Sequence, residues 1–263
     1  ATINPVLHYG LDTGLLREGD NADFIVVDDL TAMHVSQTWI DGNCVFFNGN
    51  VEFALPELKH ENKFHASEVS MRELQVPYTG KAVRVIHAFN GELFTKAVRY
   101  MPSACEYIES NTKDDILKIV VKDRYKNSAP ATGFISGFGL KKGAFATSVA
   151  HDSHNLICIG TSDEDMARVI NSLVENKGGI AVTDGHNLDV LPLPVAGLMG
   201  NADGYEVAAK YEAINHKARA LGGSLQAPFM TMSFMALLVI PELKLSDQGL
   251  FDGTKFAFTN LFE

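Results

Sequence analysis

Cysteine is scarce: the 263 residues hold three, at positions 44, 105 and 158, with no C-x-x-C pair among them. An odd number of thiols so far apart supplies neither a disulfide framework nor a cysteine zinc site. Long apolar runs are missing too. No stretch approaches the roughly 20 residues that span a bilayer, and the chain does not open on a basic start, apolar core and small-residue cleavage site. A cytoplasmic location is the expectation. Positive charge is in short supply, with 22 Lys and Arg against 32 Asp and Glu and a net charge of -10. Such a surface repels phosphate backbones and anionic lipid, so neither nucleic acid nor a membrane is expected as a partner. The initiator Met is absent, and an opening of Ala1-Thr2-Ile3-Asn4-Pro5 reads as a fragment of something longer.

What is present suits a globular chain. With 46% hydrophobic and 21% charged residues, it can bury a sizeable core in one large or two modest domains. The densest information lies between Gly133 and Gly160. Two apolar, β-prone runs, 144–150 and 156–160, read as buried strands, and His151, Asp152, Ser153, His154 and Asn155 fill the junction between them. Polar residues projecting from a strand end are where chemistry is often mounted. Gly137, Gly139 and Gly143 upstream suggest tight turns.

Upstream, Asn4 and Pro5 are the N-cap and first turn of a short helix over 5–9 that Gly10 ends. Strands follow over 22–29, 35–40 and 44–47, with Asp41-Gly42 and Asn48-Gly49 as turns. From 53 to 80 the pattern weakens into charges and prolines with one helical piece over 67–74, which reads as a linker. A hairpin over 82–100 turns at Asn90-Gly91, and 116–122 adds a strand. On the hairpin, alternation puts His87 beside Val83 and Val85 as a packed or edge histidine, since one imidazole cannot hold a metal. Ser162 caps a helix to Glu175 whose apolar stripe is Met166, Val169, Ile170 and Leu173. A hairpin over 180–193 comes next, then a helix over 204–221 with a solvated His216. Residues 228–258 are the most apolar, and four of the eight methionines lie between Met199 and Met235. A buried helix stopped by Pro241 is expected there. The fold class that results is α+β (mixed α/β), a small β-element followed by a layered sheet-and-helix domain.

Two groups of motifs carry a family resemblance. The run from Gly10 to Val27, with Arg17-Glu18-Gly19-Asp20-Asn21-Ala22-Asp23 before an apolar strand and Trp39-Ile40-Asp41-Gly42 after it, resembles the C-terminal tail of the amidohydrolase superfamily. There the last barrel helix leads into a small β-sandwich that N-terminal residues complete. The later motifs are Gly133 to Gly139, Val149 to Asn155, Gly178-Gly179-Ile180, Leu193 to Met199, Ile240 to Leu245 and Gly249 to Asp252. Together they resemble the C-terminal domain of bacterial adenine deaminases, which that tail precedes. The resemblance implies residues 1–52 as barrel helix and sandwich tail, 53–80 as linker and 81–263 as the C-terminal α+β domain, with the catalytic TIM barrel outside this chain. It also implies adenine as substrate, hypoxanthine and ammonia as products, and manganese, iron or zinc as cofactor in the parent enzyme. The remaining partners it implies are the missing N-terminal barrel and further copies in a homo-oligomer.

The metal-binding motifs of that superfamily do not occur here, so no ligand can be carried over, and the His-x-Glu with Pro-Cys-x-x-Cys of other deaminases is absent. Three readings of the junction stay open. His151, Asp152, His154 and Asn155 satisfy backbone groups at a strand junction, or they form a lid or outer support at the barrel mouth. Alternatively, His151 and His154 with Asp152, joined by Asp184 or His186, hold a metal. That last reading requires a turn, because residues i and i+3 face opposite ways on a regular strand.

Overall fold

One aspartate organises the start of the chain. In a computed structural model describing residues 3–54 and 61–263, Asp23 accepts hydrogen bonds from Thr13 Oγ1 at 2.9 Å, the Gly14 amide at 2.7 Å and the Asp41 amide at 2.6 Å. Asp20 likewise accepts from the Leu15 amide at 2.9 Å and Arg17 Nε at 3.0 Å. These bonds hold both carboxyls below their ordinary pKa. Position 14 needs glycine because a Cβ there would lie 1.9 Å from the Asn21 carbonyl oxygen. The motif between helix and strand is therefore a folded turn held by its acids.

The chain divides into two units, Ala1–Lys59 and His60–Glu263. In the first, helix α1 (Ile3–Tyr9) precedes four strands, β1 (Phe24–Val27), β2 (Val35–Ile40), β3 (Asn43–Phe47) and β4 (Asn50–Val51), paired in sequence order as an antiparallel sheet. Asp41-Gly42 and Asn48-Gly49 have positive φ at both positions, the two-residue hairpin turn that matches strand twist. The Asp41-Gly42 turn was legible in the sequence, whereas β4, only two residues long, was not. No residue from 3 to 54 is buried, although Phe24 and Trp39 stack at 5.7 Å.

The second unit is built on an eight-stranded sheet. Its strands are β5 (Val83–Ala88), β6 (Thr95–Tyr100), β7 (Leu117–Lys122), β8 (Ala131–Ser136), β9 (Ala144–Thr147), β10 (Leu156–Gly160), β11 (Gly179–Thr183) and β12 (Leu188–Pro192). They lie in the order β12-β11-β9-β10-β7-β8-β5-β6. All neighbours are antiparallel except β5 and β8. Alternation along β7 sends Leu117, Ile119 and Val121 to one face and Lys118, Val120 and Lys122 to the other.

Helix α2 (Asp163–Glu175) covers the face carrying Val120 with the predicted stripe, Met166, Val169, Ile170 and Leu173, all buried. Ser162 caps it, accepting from the Asp165 amide at 3.2 Å. Buried Lys118 reaches Asp163 at that helix start. The opposite face is covered by α3 (Gly204–Ala220), α4 (Pro228–Ser233) and a small sheet of β13 (Leu243–Ser246), β14 (Gly249–Asp252) and β15 (Ala257–Phe258).

Three expectations are revised. Residues 61–80, read as part of a linker, pack on this unit: Phe64, Val69, Leu74 and Val76 are buried, and the His65 and Ala66 amides bond to the Arg124 carbonyl oxygen. The predicted helical piece is a single 3₁₀ turn, Met71–Leu74, started by Ser70 and Glu73. The apolar C-terminal helix does not run to Pro241. It ends as a 3₁₀ turn at Ala236, and Leu237 is already extended, because the branched Val239 and Ile240 before a proline disfavour helix. Strand β8 was not expected; the turns expected at Gly137, Gly139 and Gly143 lie after it, each with positive φ.

Candidate functional site

The connection between β9 and β10 gathers the polar junction residues. Thr147 Oγ1 accepts from the Val149 amide at 3.0 Å, and Ser148 Oγ donates to the Gly197 carbonyl oxygen at 2.6 Å while accepting from the Gly179 amide at 2.8 Å. The chain then turns. The His151 amide donates to the Ser233 carbonyl oxygen at 3.0 Å, the His154 amide to that of Ala150 at 2.6 Å, and His154 sits at φ 53.

His151 stacks on Phe234, rings 4.7 Å apart and 21° from parallel. Its ring centre lies 6.0 Å from that of His154. Asp152 and Ser153 are exposed at the tip, on the edge of a pocket of about 240 Å³. Asn155 points inward, 3% exposed. Its Oδ1 accepts from the Arg124 amide and its Nδ2 donates to Asp247 Oδ1, both at 3.2 Å. This one amide ties the turn to the end of β7 and to the β13–β14 turn.

Arg124 is the residue that sequence reasoning passed over. It is 3% exposed, yet its guanidinium donates to neutral oxygens, the Ala196 carbonyl at 2.6 Å and the Tyr125 hydroxyl at 2.8 Å. Its Nε and His154 Nδ1 are both buried without a hydrogen-bond partner among the described residues. A Cβ on Gly197 would lie 2.0 Å from Arg124 Nη1, so the glycine of Leu193 to Met199 makes room for this side chain. Burial first, then the positive charge of Arg124 and the neighbouring His151, hold the His154 pKa below its ordinary value, with Asp152 opposing. His154 is therefore neutral at pH 7. The only sequence signal for Arg124 was a basic residue closing the apolar run 116–122.

Lys244 was missed as well. It is fully buried and donates to the Leu93 carbonyl oxygen at 2.6 Å and to that of Phe234 at 3.0 Å. Burial pushes its pKa down to about 8. It thereby fixes the backbone at Phe234, the residue whose ring stacks on His151.

His87 bonds Ser136 Oγ at 2.8 Å, and the exposed His216 lies on α3. Asp184 and His186 belong to the β11–β12 turn, where Asp184 Oδ1 accepts from the His186 and Asn187 amides at 3.0 and 2.7 Å. Among the described residues no three His, Cys, Asp or Glu side chains are grouped to hold a metal ion. His151, His154 and Asp152 thus share a turn, and Asp184 and His186 do not complete a donor set with them. Nor is any described helix long and apolar enough to cross a membrane.

Residues 92–257 match the family model described as adenine deaminase C-terminal domain, and residues 1–45 match that of the amidohydrolase family. The whole chain is 52% identical to an adenine deaminase of Methanosarcina barkeri, covering 49% of that protein. It is 46% identical to one of Salinibacter ruber, covering 48% of it. With 98% of the chain aligned, it is 39% identical to one of Borreliella afzelii, again covering 48%. The chain spans about half the length of these curated relatives.

Proposed function

Because the chain belongs to the adenine deaminase C-terminal domain family, we propose that it is the C-terminal half of an enzyme that hydrolyses adenine to hypoxanthine and ammonia. In that reaction water replaces the amino group at C6, and a bound metal supplies the activated water. Among the described residues, the two neighbouring imidazoles and one carboxylate of the 151–155 turn are not grouped to hold such a metal. We place the reaction centre in a barrel contributed by the other half, in an enzyme of purine salvage working in the cytoplasm. Supporting this reading is the order of the two family matches, amidohydrolase tail and then C-terminal domain.

Within that enzyme the 151–155 turn serves as a lid or outer support at the barrel mouth. What supports this role is the construction of the turn. Asn155 anchors its base from two sides, Phe234 holds the His151 ring, and Asp152 and Ser153 are left exposed at the tip. Ammonia release decides the main point. The 263-residue chain supplied with manganese, iron or zinc should release none from adenine, and the chain joined to the N-terminal half of a relative should release it. Turnover by the chain alone would place the chemistry here and overturn the proposal.

A further inference from the structure

Two buried nitrogens at the base of the 151–155 turn stand unpaired, Arg124 Nε and His154 Nδ1, neither with a hydrogen-bond partner among the described residues. Asn155 couples the residues that carry them, because its Oδ1 accepts from the Arg124 amide at 3.2 Å one position after His154. The guanidinium is held in place. Its Nη1 donates to the Ala196 carbonyl oxygen at 2.6 Å and its Nη2 to the Tyr125 hydroxyl at 2.8 Å, and its centre lies 4.8 Å from the centre of the Tyr125 ring. The backbone beside it is shaped to admit it. Ala196 adopts φ 56, Gly197 lacks the Cβ that would lie 2.0 Å from Nη1, and Ser148 Oγ fixes the Gly197 carbonyl oxygen at 2.6 Å.

Those hydrogen-bond partners are all neutral. A guanidinium buried against neutral oxygens costs more than an apolar side chain of like volume, so filling space does not account for it. What Arg124 adds is a fixed positive charge that cannot be deprotonated. That charge constrains His154. A neutral imidazole carries one N–H, and a proton on Nδ1 would be a second buried, unpaired donor in the field of a cation. A bare Nδ1 puts a lone pair there instead, and the proton then sits on Nε2. The other charged and titratable groups about the turn are His151 and Asp152 within it, Asp247 of the β13–β14 turn at Asn155 Nδ2, and exposed His65, whose amide bonds the Arg124 carbonyl oxygen. His151 acts with Arg124 against a second proton on His154, and Asp152 acts in the opposite sense.

We infer that Arg124 is a positioning residue for His154, fixing it as a neutral imidazole with a bare Nδ1 and a proton on Nε2, so that the 151–155 turn offers one uncharged hydrogen-bond donor. Such a donor polarises a carbonyl oxygen or a ring nitrogen without bringing a full charge to it. That the acceptor stands at the barrel mouth rests on the function proposed above. The tautomer itself does not.

The test is a long-range proton–nitrogen NMR correlation of the histidine rings in the 263-residue chain at pH 7, with His154→Gln identifying the His154 signals. His154 should show a single form, with a bare, pyridine-type Nδ1 and a protonated, pyrrole-type Nε2. Arg124→Lys keeps the charge and should keep this pattern. Arg124→Met removes the charge at similar volume, and it should give averaged nitrogen shifts from mixed tautomers and a protonation midpoint moved to higher pH. Should Arg124→Met not fold, Arg124→Gln removes the same charge while retaining an amide donor for the Ala196 oxygen, and the same shifts are expected. A protonated Nδ1 or mixed tautomers in the parent would overturn the inference. So would unchanged His154 nitrogens in either folded neutral variant, the result a purely structural arginine would give however far the Tm fell. Ammonia release by the joined halves is read separately. Turnover with mixed His154 tautomers removes the role of Arg124 and leaves the proposed function, and a single tautomer that Arg124 controls, without turnover, does the reverse.

Discussion

Asn155 and the two histidines occupy five residues of chain, yet they answer to different forces. Asn155 is buried and doubly bonded, so Asn155→Ala leaves the Arg124 amide without its acceptor. A buried group left unpaired costs about 1 to 3 kcal/mol, and thermal unfolding should show a lower Tm of that order. His151 and His154 carry less of the fold. In the joined enzyme, changing either to Ala should lower kcat/KM by about 10- to 100-fold, the usual cost of an outer supporting group, with little change in Tm. Steady-state kinetics that stay normal in both histidine variants would remove the lid role. Lys244 is a third case, and pH exposes it. Its folded pKa is about 8 against roughly 10.4 unfolded, so the folded state binds fewer protons between those values. Stability from this residue is then lowest below pH 8 and rises as pH goes from about 8 to about 10, because the unfolded chain holds the extra proton. Urea midpoints of the parent and Lys244→Met, taken across that range, should diverge with pH in favour of the parent. Parallel curves would place the amine in a wetter site than its burial indicates.

At the level of elements, what could be read from the sequence was whatever obeyed one period and carried its own cap. Strands β9 and β10 are short apolar runs that lie buried in the sheet, and α2 announces itself through Ser162, three acids and a stripe of four apolar residues. Strand β8 was hidden because a glycine inside a strand weakens its pattern. Gly133 is mid-strand, where an added Cβ would meet Leu245 Cδ1 at an ordinary 3.5 Å. The C-terminal segment misled for another reason: composition fixed its burial, while the break at Leu237 and the hairpin after it depend on packing against β6 and β8. The junction itself was legible as a polar interruption between strands. Its partners Arg124, Phe234 and Asp247 were not, because they arrive from positions about 30 to 90 residues away that only the sheet order brings together. Gly160 tests how closely α2 is seated on its strands. A Cβ there would lie 2.4 Å from Met166 Cγ and 2.7 Å from the Ala144 Cβ, so Gly160→Ala must displace Met166 or push α2 outward. Overpacking of this kind costs about 1 to 3 kcal/mol, and chemical denaturation should read a loss in that range. A neutral result would show that the Met166 side chain can swing away freely.

For the molecule as a whole, the two units differ in how much core they own. Residues 61–263 bury apolar side chains on both faces of the eight-stranded sheet, whereas residues 3–54 bury none. A four-stranded meander without a buried side chain has little to resist opening, and its exposed Ile25, Val26, Val35 and Ile40 are what a sheet shows when it lacks a covering layer. Hydrogen exchange on the 263-residue chain should therefore fall into two classes. Amides of β7, β9 and β10 should exchange only through global unfolding, while those of β1, β2 and β3 should exchange many-fold faster, through local opening. Adding the N-terminal half of a relative should slow the second class and leave the first unchanged, because only the meander gains a core. Equal protection of the two classes in the isolated chain would mean that the meander is stable as it stands, and that the turns held by Asp20 and Asp23 suffice for it.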